Sequence, residues 1–87
     1  MSTYNVILAD RAREELKKTP SNLQLLFLKH IKKLEDHVPG KHLGHSKYFI
    51  EKVTDSTRIA CELENDTIKV IHCFKTHKEY EDWYRSL

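Results

Sequence analysis

Glycine and proline are scarce, at two of each in 87 residues. Such a composition leaves no low-complexity linker, and a chain of this length is expected to form a single domain over residues 1–87. A domain this small buries a modest core, so a partner often adds to its stability. Two cysteines, Cys61 and Cys73, exclude a disulfide framework and a CxxC pair; both read as free thiols on strands. No apolar run approaches the roughly 18 residues of a membrane span, so no membrane partner is expected. The N-terminus lacks the apolar core of a signal peptide, which makes the cytosol the default compartment. Charge of one sign is not in excess either: 15 Lys and Arg against 13 Asp and Glu leave a formal +2. Binding to nucleic acid would need a local patch rather than bulk charge.

What the chain does have is alternating periodicity. Tyr4–Leu8 is β-prone. Asp10 is placed to cap a first helix, D-R-A-R-E-E-L-K-K, in which Ala12 and Leu16 share a face. Thr19-Pro20 is a start signal for a second helix, Thr as cap and Pro at the first helical position. Its stripe runs Leu23, Leu26, Phe27, Ile31, Leu34, Val38; Leu25 and Leu28 widen it, predicting a well-buried helix that Pro39-Gly40 stops. After a loop rich in Lys and His the period becomes two, over 48–53, 58–64 and 67–75, with Asn65-Asp66 as a hairpin turn. From Lys78 a short helix closes the chain. The expected class is α+β, in the order β-α-α-β-β-β. An antiparallel sheet is covered on one face by two helices, with a short C-terminal helix.

A two-residue turn at Asn65-Asp66 pairs Leu63 with Ile68, Cys61 with Val70 and Arg58 with Cys73. A second two-residue turn, at Asp55-Ser56, pairs Val53 with Arg58 and Ile50 with Cys61. This register sends Tyr48, Ile50, Ile59, Cys61, Leu63, Ile68 and Val70 to the core face. Lys47, Phe49, Glu51, Arg58, Cys73 and Lys75 go to the other face. His77, two residues past Lys75, then hangs over the edge that carries Arg58.

The segment K-Y-F-I-E-K-V-T-D-S-T-R-I-A-C-E-L-E-N-D-T-I-K-V resembles the RelE/ParE superfamily, the small toxins of toxin–antitoxin pairs. The family pattern is an aromatic-containing strand, a short turn, an Arg opening the next strand and an acidic turn before the last strand. The ending K-T-H-K-E-Y-E is similar to the T-H-x-E-Y motif of HigB-like toxins in the same superfamily. The resemblance covers nearly the whole chain. It implies an endoribonuclease that cuts mRNA, in many members only on the ribosome, with no metal and no cofactor. It implies a cognate antitoxin as partner, wrapped around the toxin, and leaves the oligomeric state open. By the family pattern Arg58 stabilises the phosphate charge, His77 is the acid or base with Tyr80 or Tyr84 close by, and Lys75 and Lys78 hold the RNA backbone. RelE itself has two strand lysines where this chain has Phe49 and Glu51. In the register above Lys52 points to the opposite face, which favours a His-centred site.

The chemistry agrees with that assignment. Metal-free RNA cleavage needs a group to take the 2′-hydroxyl proton, a charge to meet the phosphorane, and a donor for the leaving 5′-oxygen. Arg offers a planar, permanently charged fork, and His titrates near neutrality. Tyr is a poor base but a fair donor. Bland alternatives stand beside each role. Arg58 could pair with Glu51. Thr76 could cap the last helix with Glu79 in a capping box, a role compatible with catalysis by His77. Trp83 is expected in the core and Tyr80 at the site. Lys41, Lys47 and the loop histidines are expected to thicken a phosphate-binding patch; His37, His42 and His45 also have spacings that could hold a metal. Arg11, Arg13, Lys17 and Lys18 form a solvated face or one that touches ribosomal RNA. Two further functions remain open: a ParE-like inhibitor of DNA gyrase, and an inactive relative that only binds protein or RNA.

Overall fold

A computed structural model describes residues 3–37, 40–44 and 46–87. The end of the apolar stripe at Val38, the stop at Pro39 and the loop histidine His45 lie outside the described residues. The elements are β1 (Asn5–Leu8), α1 (Asp10–Lys17), α2 (Ser21–Lys33), β2 (Lys41–His42), β3 (Tyr48–Lys52), β4 (Arg58–Glu64), β5 (Thr67–Phe74) and α3 (His77–Arg85). The class is α+β, as expected, with an additional two-residue edge strand, β2. The sheet order is β1-β5-β4-β3-β2. β1 runs parallel to β5, while the other pairs are antiparallel. The parallel pair follows from the long helical crossover between the first strand and the rest of the sheet.

The β4–β5 hairpin has the expected register near its turn, Leu63 opposite Ile68 and Cys61 opposite Val70. Asn65 takes φ 56° there, a left-handed conformation that Asn tolerates. Beyond Cys61 the pairing shifts by one, leaving Ile71 as the extra residue of a bulge. Arg58 therefore faces Phe74, and Cys73 faces Ile59. The expected Arg58–Cys73 pair does not form, and Cys73 turns into the core instead of onto the open face.

The β3–β4 connection differs in a way that matters more. Val53 N–H donates to the Thr57 carbonyl at 3.1 Å, closing a loop one residue longer than the expected Asp55-Ser56 turn. Thr54 Oγ1 organises it, accepting from the backbone N–H of Ser56 and Thr57 at 3.3 and 3.2 Å. Lys52 consequently stands opposite Arg58, Ile50 opposite Ala60 and Tyr48 opposite Glu62. One residue of slip inverts every side chain of β3. Tyr48 and Ile50 leave the face covered by α1 and α2, Phe49 and Glu51 move toward it, and Lys52 joins the face of Arg58.

Two clusters result, one on each side of the sheet. Under α1 and α2 lie Phe27, Ile31, Leu34, Ile59, Cys61, Ile68, Val70 and Cys73. Under α3 lie Ile50, Ala60 and Phe74, with Tyr48, Tyr80 and Trp83 packed against them. Burial raises the Cys61 and Cys73 thiols to about 12, Cys73 and Glu51 adding to the effect at Cys61 and Glu15 at Cys73. Both therefore remain protonated and unreactive at neutral pH. The helix starts differ from expectation. Asp10 is the first helical residue rather than a cap, and Ala9 occupies the cap position without a side-chain bond. Pro20 holds that position for α2, because the Thr19 hydroxyl donates back to the Glu15 carbonyl at 2.8 Å. α2 is also less buried than expected: Leu25, Leu26 and Leu28 are exposed, since α1 and the sheet together cover only the Phe27–Ile31–Leu34 side. Phe27 has no exposed surface, so Phe27→Ala is expected to cost about 3–5 kcal/mol, read as a lower urea midpoint.

Candidate functional site

Directly paired residues of neighbouring strands share a face. One cross-sheet row on the α3 side reads Lys52, Arg58, Phe74, and the next reads Lys41, Ile50, Ala60, His72. The first row lies at the end of the sheet from which α3 departs. α3 is fastened there by the expected Thr76 cap, while Glu79 reaches one residue further back than a capping box does, to Lys75 rather than to Thr76. The Thr76 hydroxyl accepts from Glu79 N–H at 3.1 Å, and the Glu79 carboxylate accepts from Lys75 N–H at 3.3 Å.

Arg58 is clipped to its own turn. Its Nη1 donates to the carbonyls of Thr54 at 2.7 Å and Thr57 at 3.0 Å. Nε and Nη2 have no partner among the described residues, which leaves the outer edge of the fork for a ligand. The guanidinium carbon lies 5.9 Å from the centre of the Tyr80 ring, within range of a cation–π contact. The His77 ring is 6.0 Å from the same tyrosine. Arg58 and His77 thus border one aromatic ring on the α3 side of the sheet, and His77 is half exposed at 51%. Its Nε2 is 3.3 Å from the Glu81 carboxylate, one helical turn on. Partial burial raises the Tyr80 hydroxyl above its ordinary value, Tyr84 adding to this and Arg58 opposing it. The phenol is therefore a proton donor at neutral pH. The suspected Arg58–Glu51 ion pair does not form, because Glu51 accepts from Gly40 N–H at 3.0 Å and pairs with His30 at 3.3 Å on the other face.

The remaining candidates are distributed around this centre. Lys41 shares a face with Ile50, one row from Lys52, and is exposed. Lys47 is 3.6 Å from Glu62 and 5.7 Å from the centre of the Tyr48 ring. Lys75 lines a separate cleft between α1 and α3. Lys78 pairs with Asp82 at 3.1 Å, on the flank of α3 away from His77. Tyr84 is exposed, 6.0 Å from Tyr80. Trp83 packs on the sheet, 5.1 Å from Tyr48 and 5.4 Å from Phe74 between ring centres. Among the described residues no group of three or more His, Cys, Asp or Glu is placed to hold a metal ion, and no helix is long and apolar enough to cross a membrane.

Two residues at the centre escaped the sequence. Lys52 was sent to the wrong face by the assumed turn length. Glu81 offers only an i,i+4 spacing to His77, a signal too common on helices to single it out.

No family model matches the sequence, and no curated protein matches it. Solved structures do. The RelBE2 toxin–antitoxin complex from Mycobacterium tuberculosis contains a chain that superposes with a TM-score of 0.77 at 18% identity, over 88% of this chain and 95% of that one. The Escherichia coli RelBE complex gives 0.65 at 23% identity, over 84% and 96%. The ParDE system of Pseudomonas aeruginosa gives 0.68 at 8% identity, over 85% and 97%. These likenesses show the fold.

Proposed function

We propose that this chain, whose fold is that of the RelE and ParE toxins, is the toxin of a type II toxin–antitoxin pair. It acts as a cytoplasmic, metal-independent endoribonuclease on mRNA at the ribosome, and a cognate antitoxin restrains it. The observation that carries the reading is the arrangement around Tyr80: Arg58 and His77 both border its ring, with Lys52 across the strand from Arg58.

Neutral His77 takes the proton of the 2′-hydroxyl, and the carboxylate of Glu81 steadies the imidazolium that forms. The 2′-oxygen attacks phosphorus, and the free edge of the Arg58 fork meets the charge on the phosphorane, aided by Lys52. Tyr80, kept protonated by its surroundings, donates to the departing 5′-oxygen, which as an alkoxide is a far stronger base than a phenolate. The products are a 2′,3′-cyclic phosphate and a 5′-hydroxyl. Lys41 and Lys47 add positive charge along the approach, and Tyr84 extends the aromatic surface.

The test is incubation of the purified chain with mRNA, in EDTA for the free RNA and in magnesium buffer for ribosome-bound RNA, since ribosomes need magnesium to stay assembled, followed by mapping of 5′ ends. New 5′-hydroxyl ends are expected. Intact mRNA together with inhibited DNA supercoiling by gyrase would overturn the ribonuclease reading in favour of a ParE-like one. Intact mRNA with no effect on either target would mark an inactive binding module.

A further inference from the structure

β1 ends at Leu8, opposite Val70, so among the described residues no strand lies beside the outer edge of β5 beyond that point. α1 runs along it instead. Glu15 accepts from Cys73 N–H at 2.9 Å and lies 3.0 Å from His72 Nδ1. A carboxylate is acceptor-only, so Nδ1 carries the proton of that bond. Between α1 and α3 this leaves a cleft of about 510 Å³, in the size range of small-molecule sites. It borders Glu79, Asp82 and Trp83 on α3, the flank away from His77, Tyr80 and Glu81.

The two halves of the cleft have different chemistry. The floor is aromatic: His72 stacks on Phe74 at 4.9 Å between ring centres, with planes 20° apart, and Trp83 meets His72 edge-on at 5.6 Å with planes 60° apart, so the two rings form an angled wall. The rim carries charges of both signs, but not equally available ones. Glu15 is held by His72 and Cys73, Glu79 by the Lys75 amide, and Asp82 by Lys78 at 3.1 Å. Arg11, Lys18 and Lys75 also line the cleft, and their side chains have no acidic partner among the described residues. The carboxylates keep their charge, but each is turned to a fixed partner, so the charged groups free to reach a ligand are the three cations, beside an aromatic surface. That combination suits a planar heterocycle attached to an anion.

We infer that this cleft binds one nucleotide of single-stranded RNA, its base against Trp83 and His72 and its phosphate between Arg11, Lys18 and Lys75. The inference rests on the ribonuclease reading for its role: Lys75 lies one residue before Thr76, the cap of α3. A strand crossing there sets its scissile phosphate at Arg58 and a neighbouring nucleotide in the cleft, fixing the position of the cut.

Trp83 is the only tryptophan of the chain, so its fluorescence reports the cleft directly. The purified protein is titrated with adenosine 5′-monophosphate, with inorganic phosphate at matched ionic strength, and with an all-deoxy trinucleotide that cannot be cleaved through a 2′-oxygen. The two nucleotide probes are expected to quench saturably and phosphate is not. The Arg11→Gln/Lys18→Gln variant, with exposed sites in the first turn of α1 and at its C-cap, should weaken both nucleotide probes roughly tenfold with unchanged circular dichroism. Arg58→Ala should leave the mononucleotide titration as it is. Absence of quenching, equal quenching by phosphate, or a titration sensitive to Arg58 and indifferent to Arg11 and Lys18 would overturn the inference, even if the chain cuts RNA. Saturable quenching in a chain that leaves RNA intact would instead sustain the cleft and remove the ribonuclease reading.

Discussion

Arg58→Ala is expected to lower the rate of RNA cleavage about 10²–10³-fold, the range seen when one preorganised donor to a developing oxyanion is removed. The size of the effect follows from how the side chain is held. Two hydrogen bonds from Nη1 to the Thr54 and Thr57 carbonyls fix the plane of the guanidinium before any substrate arrives, so little ordering remains to be done in the transition state. The same bonds give the substitution a structural cost of about 1–3 kcal/mol. A single-turnover assay at substrate saturation, run beside a urea titration, separates the two effects. Loss of rate in a fraction shown to be folded is the expected outcome. Arg58→Lys sharpens the test, since it keeps the charge but not the fork. Its ammonium cannot hold two turn carbonyls and two phosphate oxygens together, and most of the rate should stay lost. A lysine variant with near-normal turnover would mean that only positive charge is needed there. An alanine variant with normal turnover would remove Arg58 from the chemistry altogether.

The contrast between the two hairpins explains how far the residues could be read without coordinates. Asn65-Asp66 is a turn whose residue types dictate its conformation: Asn tolerates the left-handed φ that a tight hairpin needs, and the pairs nearest it fall where arithmetic puts them. At Thr54–Thr57 nothing in the residue types announces the extra residue. The loop length is set by a side chain, the Thr54 hydroxyl collecting two amide protons, and such local competition with the backbone ladder carries little sequence signal. The consequence was not local, because strand periodicity is two and the whole of β3 changed faces. That single slip hid Lys52 and suggested an Arg58–Glu51 contact that does not exist. The bulge at Ile71 acted in the same way on β5, sending Cys73 inward and bringing His72 and Phe74 beneath α3. The C-terminal turn was more transparent, since T-H-K-E spells its own cap and Thr76 with Glu79 forms it. Leu25 and Leu28 show the opposite limit: hydrophobic periodicity identifies a helix but not how much of its circumference the rest of a small domain can cover.

His77→Ala is expected to reduce cleavage by about 10²–10⁴-fold, the usual contribution of a positioned general base or acid, with no measurable change in stability. The second half of that expectation discriminates. His77 is half exposed, and its one polar contact among the described residues is the surface pair with Glu81; exposed pairs of this kind contribute little to folding. The α3 start is secured by Thr76 and Glu79 rather than by the imidazole, so the helix should persist in the variant. If His77 accepts the 2′-proton, the variant should lose turnover of bound RNA while an all-deoxy trinucleotide, which has no 2′-hydroxyl, binds as before. Glu81→Gln should give a smaller loss than His77→Ala, since it removes the partner of the imidazolium and leaves the proton acceptor. A Lys52→Ala chain assayed beside the His77→Ala chain also decides between His77 and the lysine that the register brought to the same face. A His77→Ala chain that keeps its rate, beside a Lys52→Ala chain that loses activity, would transfer the proton-abstracting role to Lys52. In that case the histidine of the T-H-x-E-Y ending serves the helix start alone, and the chemistry would lie wholly on the row formed by Lys52, Arg58 and the tyrosine above Phe74.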